Sequence, residues 1–384
     1  MNKIILFVFA ASIILSGCHR GNKSPSVDGG YSINGIISNM ENGWVYLQHE
    51  DSTGTFMQDS VEIDNHSFTF TGKVSDPSLY YLWAGNGATI IDYSGRTKSN
   101  TKALSFFLED TIIQINITDS VNKAVVTGSR SNGMYVEYKT LVGPFNARED
   151  DLNAVYEKAE ENKNMPTIDS LDKVYDGIEK QKDDAIMAYA VSNPSSIFSA
   201  WTIAKNMLYA PDLEALKNVY GSFTKGVKKS MYGRKIKTAI DIAQCVSIGE
   251  PAPVFTMNDT AGKPIALSSF HGKYVILDFW ASWCHPCRRE NPYIVAAYNK
   301  YKNRNFTVLS VSLDNKQQDW LKAIHDDKLT WTHVSDLKLW KNEAATMYGI
   351  RSIPTNFLLD PTGKIIARNL MNEDLDKMLD KLLK

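Results

Sequence analysis

Cys284 and Cys287 stand two residues apart in the run Trp283-Cys284-His285-Pro286-Cys287. Two thiols at that spacing can close a disulfide on each other and reopen it, provided one of them is held as a thiolate. The residues around them supply the means. Tyr274 to Trp280 is a short, nearly continuous apolar run, the pattern of a strand buried on both faces, and Pro286 with the polar residues after it opens a helix. The cysteines therefore fall where a strand gives way to a helix N-terminus, whose free N–H groups and dipole favour negative charge and lower a thiol pKa. There, a partner captured by the first thiol is expelled by the second. His285, when protonated, would stabilise a Cys284 thiolate and make the disulfide more oxidising, a poising role.

A Cys-x-x-Cys pair also begins many zinc sites, but tetrahedral zinc wants four ligands and no second such pair occurs, so no metal is expected. The expected redox group is the disulfide itself, with no further cofactor. Cys18 and Cys245 are the remaining cysteines, too few for a disulfide scaffold in a chain of 384 residues. Cys245, with apolar neighbours on both sides, reads as a small buried hydrophobe.

Lys3 is followed by the apolar run Ile4 to Leu15, shorter than the roughly 20 residues that span a bilayer but suited to a secretory signal. Leu15-Ser16-Gly17-Cys18 closes that run and resembles the lipobox of bacterial lipoproteins. The resemblance implies cleavage before Cys18, lipidation of Cys18 and a membrane-anchored chain facing the periplasm or cell surface. Residues 18–30 then form a polar, Gly/Ser/Pro-rich tether after the signal peptide, residues 1–17. With 42 basic and 43 acidic residues there is no net field to draw nucleic acid, and no partner of that kind is expected.

The sequence predicts a multidomain chain. Residues 31–128 consist of short alternating runs broken by Asn42-Gly43, Asp64-Asn65 and Asp76-Pro77, which predict an all-β domain, an antiparallel meander or sandwich. Its many aromatics follow strand alternation and read as packing rather than as a ligand face. Residues 129–245 change to helical spacing and predict a connector of four or five helices, in the first instance a spacer. Residues 246–384 alternate strands and helices, an α/β sheet domain, with Asp360-Pro361-Thr362-Gly363 turning between two antiparallel strands at the sheet edge.

Trp-Cys-His-Pro-Cys, the strand Asp278-Phe279-Trp280-Ala281 before it and Ile353-Pro354-Thr355 far downstream together resemble the thioredoxin-like family. The extension from Cys284 through Glu290 to Pro292, and the opening Gly249-Glu250-Pro251-Ala252-Pro253, are similar to its membrane-tethered branch, related to the thiol-disulfide proteins of cytochrome c maturation. The resemblance implies that Cys284 attacks and Cys287 resolves, that Pro354 follows a cis peptide facing the thiols, and that Trp283, His285, Pro286, Ile353 and Thr355 flank the substrate. It also implies that Asp278 is a buried acid that relays a proton to or from Cys287, its pKa raised by burial, and that Glu290 lies close to the site. Where thioredoxin pairs that acid with a Lys, the matching strand here reads Val308-Leu309-Ser310-Val311-Ser312, without a basic residue.

The implied function is a thiol-disulfide oxidoreductase that reduces disulfides of exported proteins in cell redox homeostasis, recharged by an upstream membrane electron donor. An oxidase or isomerase, a peroxidase-like redoxin and a surface binding lipoprotein with a passive supporting domain are the alternatives.

Overall fold

The computed structural model describes residues 29–51, 55–85, 103–162, 164–208 and 212–383. The signal run, Cys18 and most of the tether lie outside the described residues.

In the N-terminal unit the strands are β1 (Tyr31–Ile37), β2 (Gly43–Glu50), β3 (Phe56–Ile63), β4 (Ser67–Gly72), β5 (Ser78–Ala84), β6 (Leu104–Leu108), β7 (Ile112–Ile117) and β8 (Val125–Thr127). They form two four-stranded sheets, β4-β1-β7-β8 and β3-β2-β5-β6. Alternation drives the packing: Ile33 and Ile37 of β1, Val45 and Leu47 of β2, Phe68 and Phe70 of β4, Leu82 of β5, Phe106 of β6 and Ile113, Ile115 and Ile117 of β7 share one core cluster. One pairing departs from the antiparallel expectation, because β1 and β7 run parallel with Ile33 opposite Ile113. Strand β8, three residues long, is too short to announce itself by alternation.

Six helices follow among the described residues, one more than the upper expectation: α1 (Arg130–Glu161), α2 (Met165–Ser192), α3 (Ile197–Asn206), α4 (Leu213–Ser222), α5 (Lys225–Lys229) and α6 (Met231–Cys245). The sequence pattern breaks near Pro144, yet α1 runs through it. Packing along α2 and the buried pair Lys182–Glu149 at 2.9 Å carry the helix past the missing hydrogen bond. Tyr135 and Tyr138 meet Phe198 and Trp201 edge to face, which fixes α3 on α1. Caps set the starts: Asp212 accepts from the amides of Glu214 and Ala215, and Ser230 from that of Gly233. The reading of Cys245 as buried is corrected here. It is exposed, because α6 turns Tyr232, Ile236, Ile240 and Ala243 inward and Cys245 falls off that stripe.

The C-terminal domain comprises β9 (Thr256–Asn258), β10 (Pro264–Ala266), β11 (Tyr274–Trp280), α7 (His285–Tyr301), β12 (Phe306–Ser312), α8 (Gln317–Asp326), β13 (Thr332–Val334), α9 (Glu343–Met347), β14 (Thr355–Leu359), β15 (Ile365–Arg368) and α10 (Glu373–Leu382). Five strands form one sheet in the order β13-β12-β11-β14-β15. β11 is central, parallel to β12 and antiparallel to β14, and β15 closes the edge antiparallel to β14. Val275 to Trp280 are all buried, as a strand covered on both faces must be. The expected architecture of β domain, helical middle and α/β thioredoxin-like domain is the one observed. No helix among the described residues is long and apolar enough to cross a membrane.

Gly35 on β1 shows how tightly the first unit is packed. A Cβ there would fall 1.9 Å from the ring of Phe68, its register partner on β4. Gly35→Ala is expected to destabilise the β domain by about 1–3 kcal/mol, read as a lowered melting temperature. An unchanged melting temperature would mean that Phe68 moves aside freely.

Candidate active site

The chain leaves β11 at Trp280, whose carbonyl accepts from the Leu313 amide at 2.8 Å, and reaches α7 through Ala281, Ser282 and Trp283. This short crossing is pinned at Ser282. The buried carboxylate of Asp314 accepts from the Ser282 amide at 3.0 Å and from its hydroxyl at 2.5 Å, and is itself fixed by the Ser312 hydroxyl at 2.6 Å. Arg288 on the first turns of α7 donates to the Ser282 carbonyl at 3.3 Å and clamps Asp327 with two nitrogens. The crossing is thus held from β12 on one side and from α7 on the other.

Cys284 is the N-cap of α7, and its Sγ accepts from the Cys287 amide at 3.1 Å. The two cysteines are joined as a disulfide with their Cα atoms 5.3 Å apart. Cys284 is 5% exposed and Cys287 only 1%, so Cys284 is the more accessible of the two. The Ile353 carbonyl lies 3.6 Å from the Cys284 Sγ, and Ile353–Pro354 is a cis peptide. Pro354, far along the chain, therefore forms the opposite wall of the site. Ile353, Pro354 and Thr355 are half-buried, and the Thr355 hydroxyl donates to the Ser352 carbonyl at 2.9 Å. His285, Pro286 and Trp283 are exposed around the sulfur.

Asp278 lies within β11. β11 continues two residues further to Trp280, and Asp278 stands opposite Ser310 of β12 and Asn356 of β14. It is buried and accepts from the Ser310 hydroxyl at 3.0 Å, which in turn accepts from the Trp331 indole at 2.9 Å. Burial pushes the Asp278 carboxyl up to about 7, against the Ser310 hydrogen bond and with help from the charge of Glu290. Glu290, on α7 three residues after Cys287, is also buried and accepts from the Asn372 amide at 2.7 Å. Burial raises it to about 7 as well, opposed by that hydrogen bond. Two acids able to give or take a proton near neutrality thus occupy the strand before the cysteines and the helix after them.

Three contributors escape the sequence reading. Ser310 and Trp331 stand in for the missing basic partner of Asp278, and Asp314 fixes the crossing. The signal for Ser310 and Asp314 was the alternation Ser310, Ser312, Asp314 along the mostly apolar β12 and just past its end, where buried polar side chains require partners; Trp331 carried no such signal. Trp340, in contact with Trp283, carries no motif at all.

With this geometry in hand, residues 248–368 match the AhpC/TSA family and residues 31–135 match a domain of unknown function, DUF4369. A thiol-disulfide oxidoreductase ResA of Bacillus thuringiensis subsp. konkukian is 33% identical over 139 residues, which is 36% of this chain and 78% of that protein. The chain belongs to the ResA thiol-disulfide oxidoreductases. The ResA of Bacillus subtilis is 31% identical over 123 residues, 32% of this chain and 67% of that protein. Among solved structures, the thioredoxin domain of a Bacteroides vulgatus thiol-disulfide oxidoreductase is 38% identical, covering 36% of this chain and 99% of its own with a TM-score of 0.35. A Bacteroides fragilis thiol-disulfide oxidoreductase is 39% identical, covering 35% of this chain and 100% of its own with a TM-score of 0.34. The ResA likeness thus extends over little more than a third of the chain, and the DUF4369 match carries no activity with it.

The raised acids of this ResA family member contribute to the pH dependence of the fold. A buried carboxyl with a raised pKa keeps its proton in the folded state while the unfolded chain releases it at about 4. The stability it contributes is full below the unfolded pKa and is lost as pH rises to about 7. Asp278→Asn removes the titration, so the melting temperature of the oxidised variant relative to wild type is expected to climb between pH 5 and pH 8. A constant difference across that range would contradict the assignment.

Proposed function

We propose that the chain is an exported, lipid-anchored thiol-disulfide oxidoreductase that reduces disulfides of other exported proteins. The observation that carries the reading is the Cys284–Cys287 disulfide at the head of α7, opposite the Ile353–Pro354 wall. Anchoring rests on the sequence Leu15-Ser16-Gly17-Cys18 and on the lipid it would place on Cys18. Reduction as the direction rests on the ResA likeness together with Glu290.

In the reduced state the Cys284 thiolate attacks one sulfur of a substrate disulfide and forms a mixed disulfide, releasing the other substrate sulfur as a thiolate. Cys287, its proton taken by Asp278 or Glu290, then attacks the Cys284 Sγ and frees the second substrate thiolate. The substrate has accepted two electrons and leaves as two thiolates, which take their protons from water, the Cys287 proton rests on the carboxyl, and the cysteines have become a disulfide. A membrane-bound dithiol donor returns the two electrons for the next cycle. Backbone groups at Ile353 and Thr355, with the exposed faces of Trp283, His285 and Pro286, hold the extended substrate segment over Cys284. Cytochrome c maturation is one process that requires such reduction of exported proteins.

Cys287→Ala leaves the attacking thiol without its resolving partner, so it is expected to accumulate mixed disulfides with exported proteins. These would be visible as adducts on non-reducing gels and lost on adding Cys284→Ser. An adduct pattern that survives Cys284→Ser, or a measured reduction potential near that of the strong periplasmic oxidants, would contradict the reductase reading.

A further inference from the structure

Two tryptophans lie exposed beside the disulfide and touch each other. Trp283 immediately precedes Cys284, and Trp340 sits on the 3-10 turn Leu339–Lys341, with ring centroids 6.0 Å apart. They are 44% and 45% exposed. Single apolar residues scattered on a surface are ordinary, but two large aromatics in contact beside a reactive sulfur form a patch that association would bury. The backbone beside each is fixed. Ser282 next to Trp283 is fixed by Asp314. Behind Trp340, buried Asn342 accepts from the Ala345 amide at 2.9 Å and donates to Asp336 at 2.8 Å. Aromatic area carried on a fixed backbone and in contact with a second ring binds with less loss of conformational entropy.

We propose that Trp283 and Trp340 together form the docking surface for a large apolar side chain, aromatic by preference, next to the reacting cysteine of an extended polypeptide substrate. The inference rests on the reductase reading above and names the substrate class. Its occupant follows from continuity with the thiol site. A disulfide attacked at Cys284 must reach a sulfur of a residue 5% exposed that directly follows the exposed Trp283 and lies 3.6 Å from the Ile353 carbonyl, so the chain that carries it is brought beside Trp283. Trp340 widens that surface. Charge adds a second preference. Lys338 pairs with Asp336 at 3.9 Å, and the Asp336 carboxylate also accepts from the Lys338 and Glu343 amides and from Asn342, so the exposed Lys341 and Arg351 outnumber Glu343 along this stretch. An acidic residue flanking the aromatic one suits this rim better than a basic one.

The test uses the full chain, reduced, in single-turnover reaction with oxidised glutathione and with three short peptides carrying one reporter-linked disulfide. The residues beside the peptide cysteine are Glu-Phe, Lys-Phe or Ser-Ser. The Glu-Phe peptide is expected to react about tenfold faster than the Ser-Ser peptide, relative to glutathione. Trp340→Ala brings that ratio close to one and Trp340→Phe retains most of it. Replacing Glu by Lys in the peptide slows reaction a few-fold, about the effect of a rim charge. Equal rates for the Phe and Ser peptides, or a ratio untouched by Trp340→Ala, would overturn the docking surface while leaving the reductase reading intact. A wild-type protein that reduces none of the four would overturn that reading and the inference with it.

Discussion

The N-terminus of α7 is aimed at one sulfur. The Cys287 amide donates to the Cys284 Sγ at 3.1 Å, and around that hydrogen bond the rest of the domain is arranged. An unsatisfied helix N-terminus is a fixed positive pole that water weakens, and here Cys284 is both its cap and nearly buried. The pole does chemical work only if the sulfur stays on the helix axis, which the central strand β11 and the Asp314–Ser282–Arg288 bonds ensure. Loosening that crossing would free the sulfur from the dipole without removing a single catalytic atom.

Against this positive pole stand two buried carboxyls. Asp278 and Glu290 each titrate near 7 because burial penalises their charge more than the Ser310 and Asn372 hydrogen bonds favour it. Glu290 lies one helical turn beyond Cys287, and when ionised it disfavours a second negative charge on that turn. The fold therefore places two chemically identical thiols in different environments. Cys284 lies 3.6 Å from the Ile353 carbonyl, and Cys287 is almost wholly buried.

Much of this was legible in the sequence because the site is local. One run from Tyr274 to Glu290 contains the strand, the cap, both thiols and both acids, and the apolar continuity of β11 with Pro286 at the helix start fixes their order. The opposite wall became readable only through the Ile353-Pro354-Thr355 resemblance, since no periodicity links residue 354 to residue 284. Parts that depend on tertiary pairing stayed hidden. The parallel β1–β7 pair, the passage of α1 through Pro144 and the solvent-facing side of Cys245 are each decided by neighbours distant in sequence. Trp340 illustrates the limit most simply, because an aromatic in a turn has no spacing to betray its contact with Trp283.

The division of labour between the two thiols is the centre of this account, and competitive alkylation of the reduced protein reads it directly. Limiting iodoacetamide at pH 7, followed by peptide mass spectrometry, reports which cysteine reacts first. Helix-pole stabilisation and the greater exposure of Cys284 predict that it is modified about tenfold or more faster than Cys287. Equal modification of the two, or faster modification of Cys287, would contradict it.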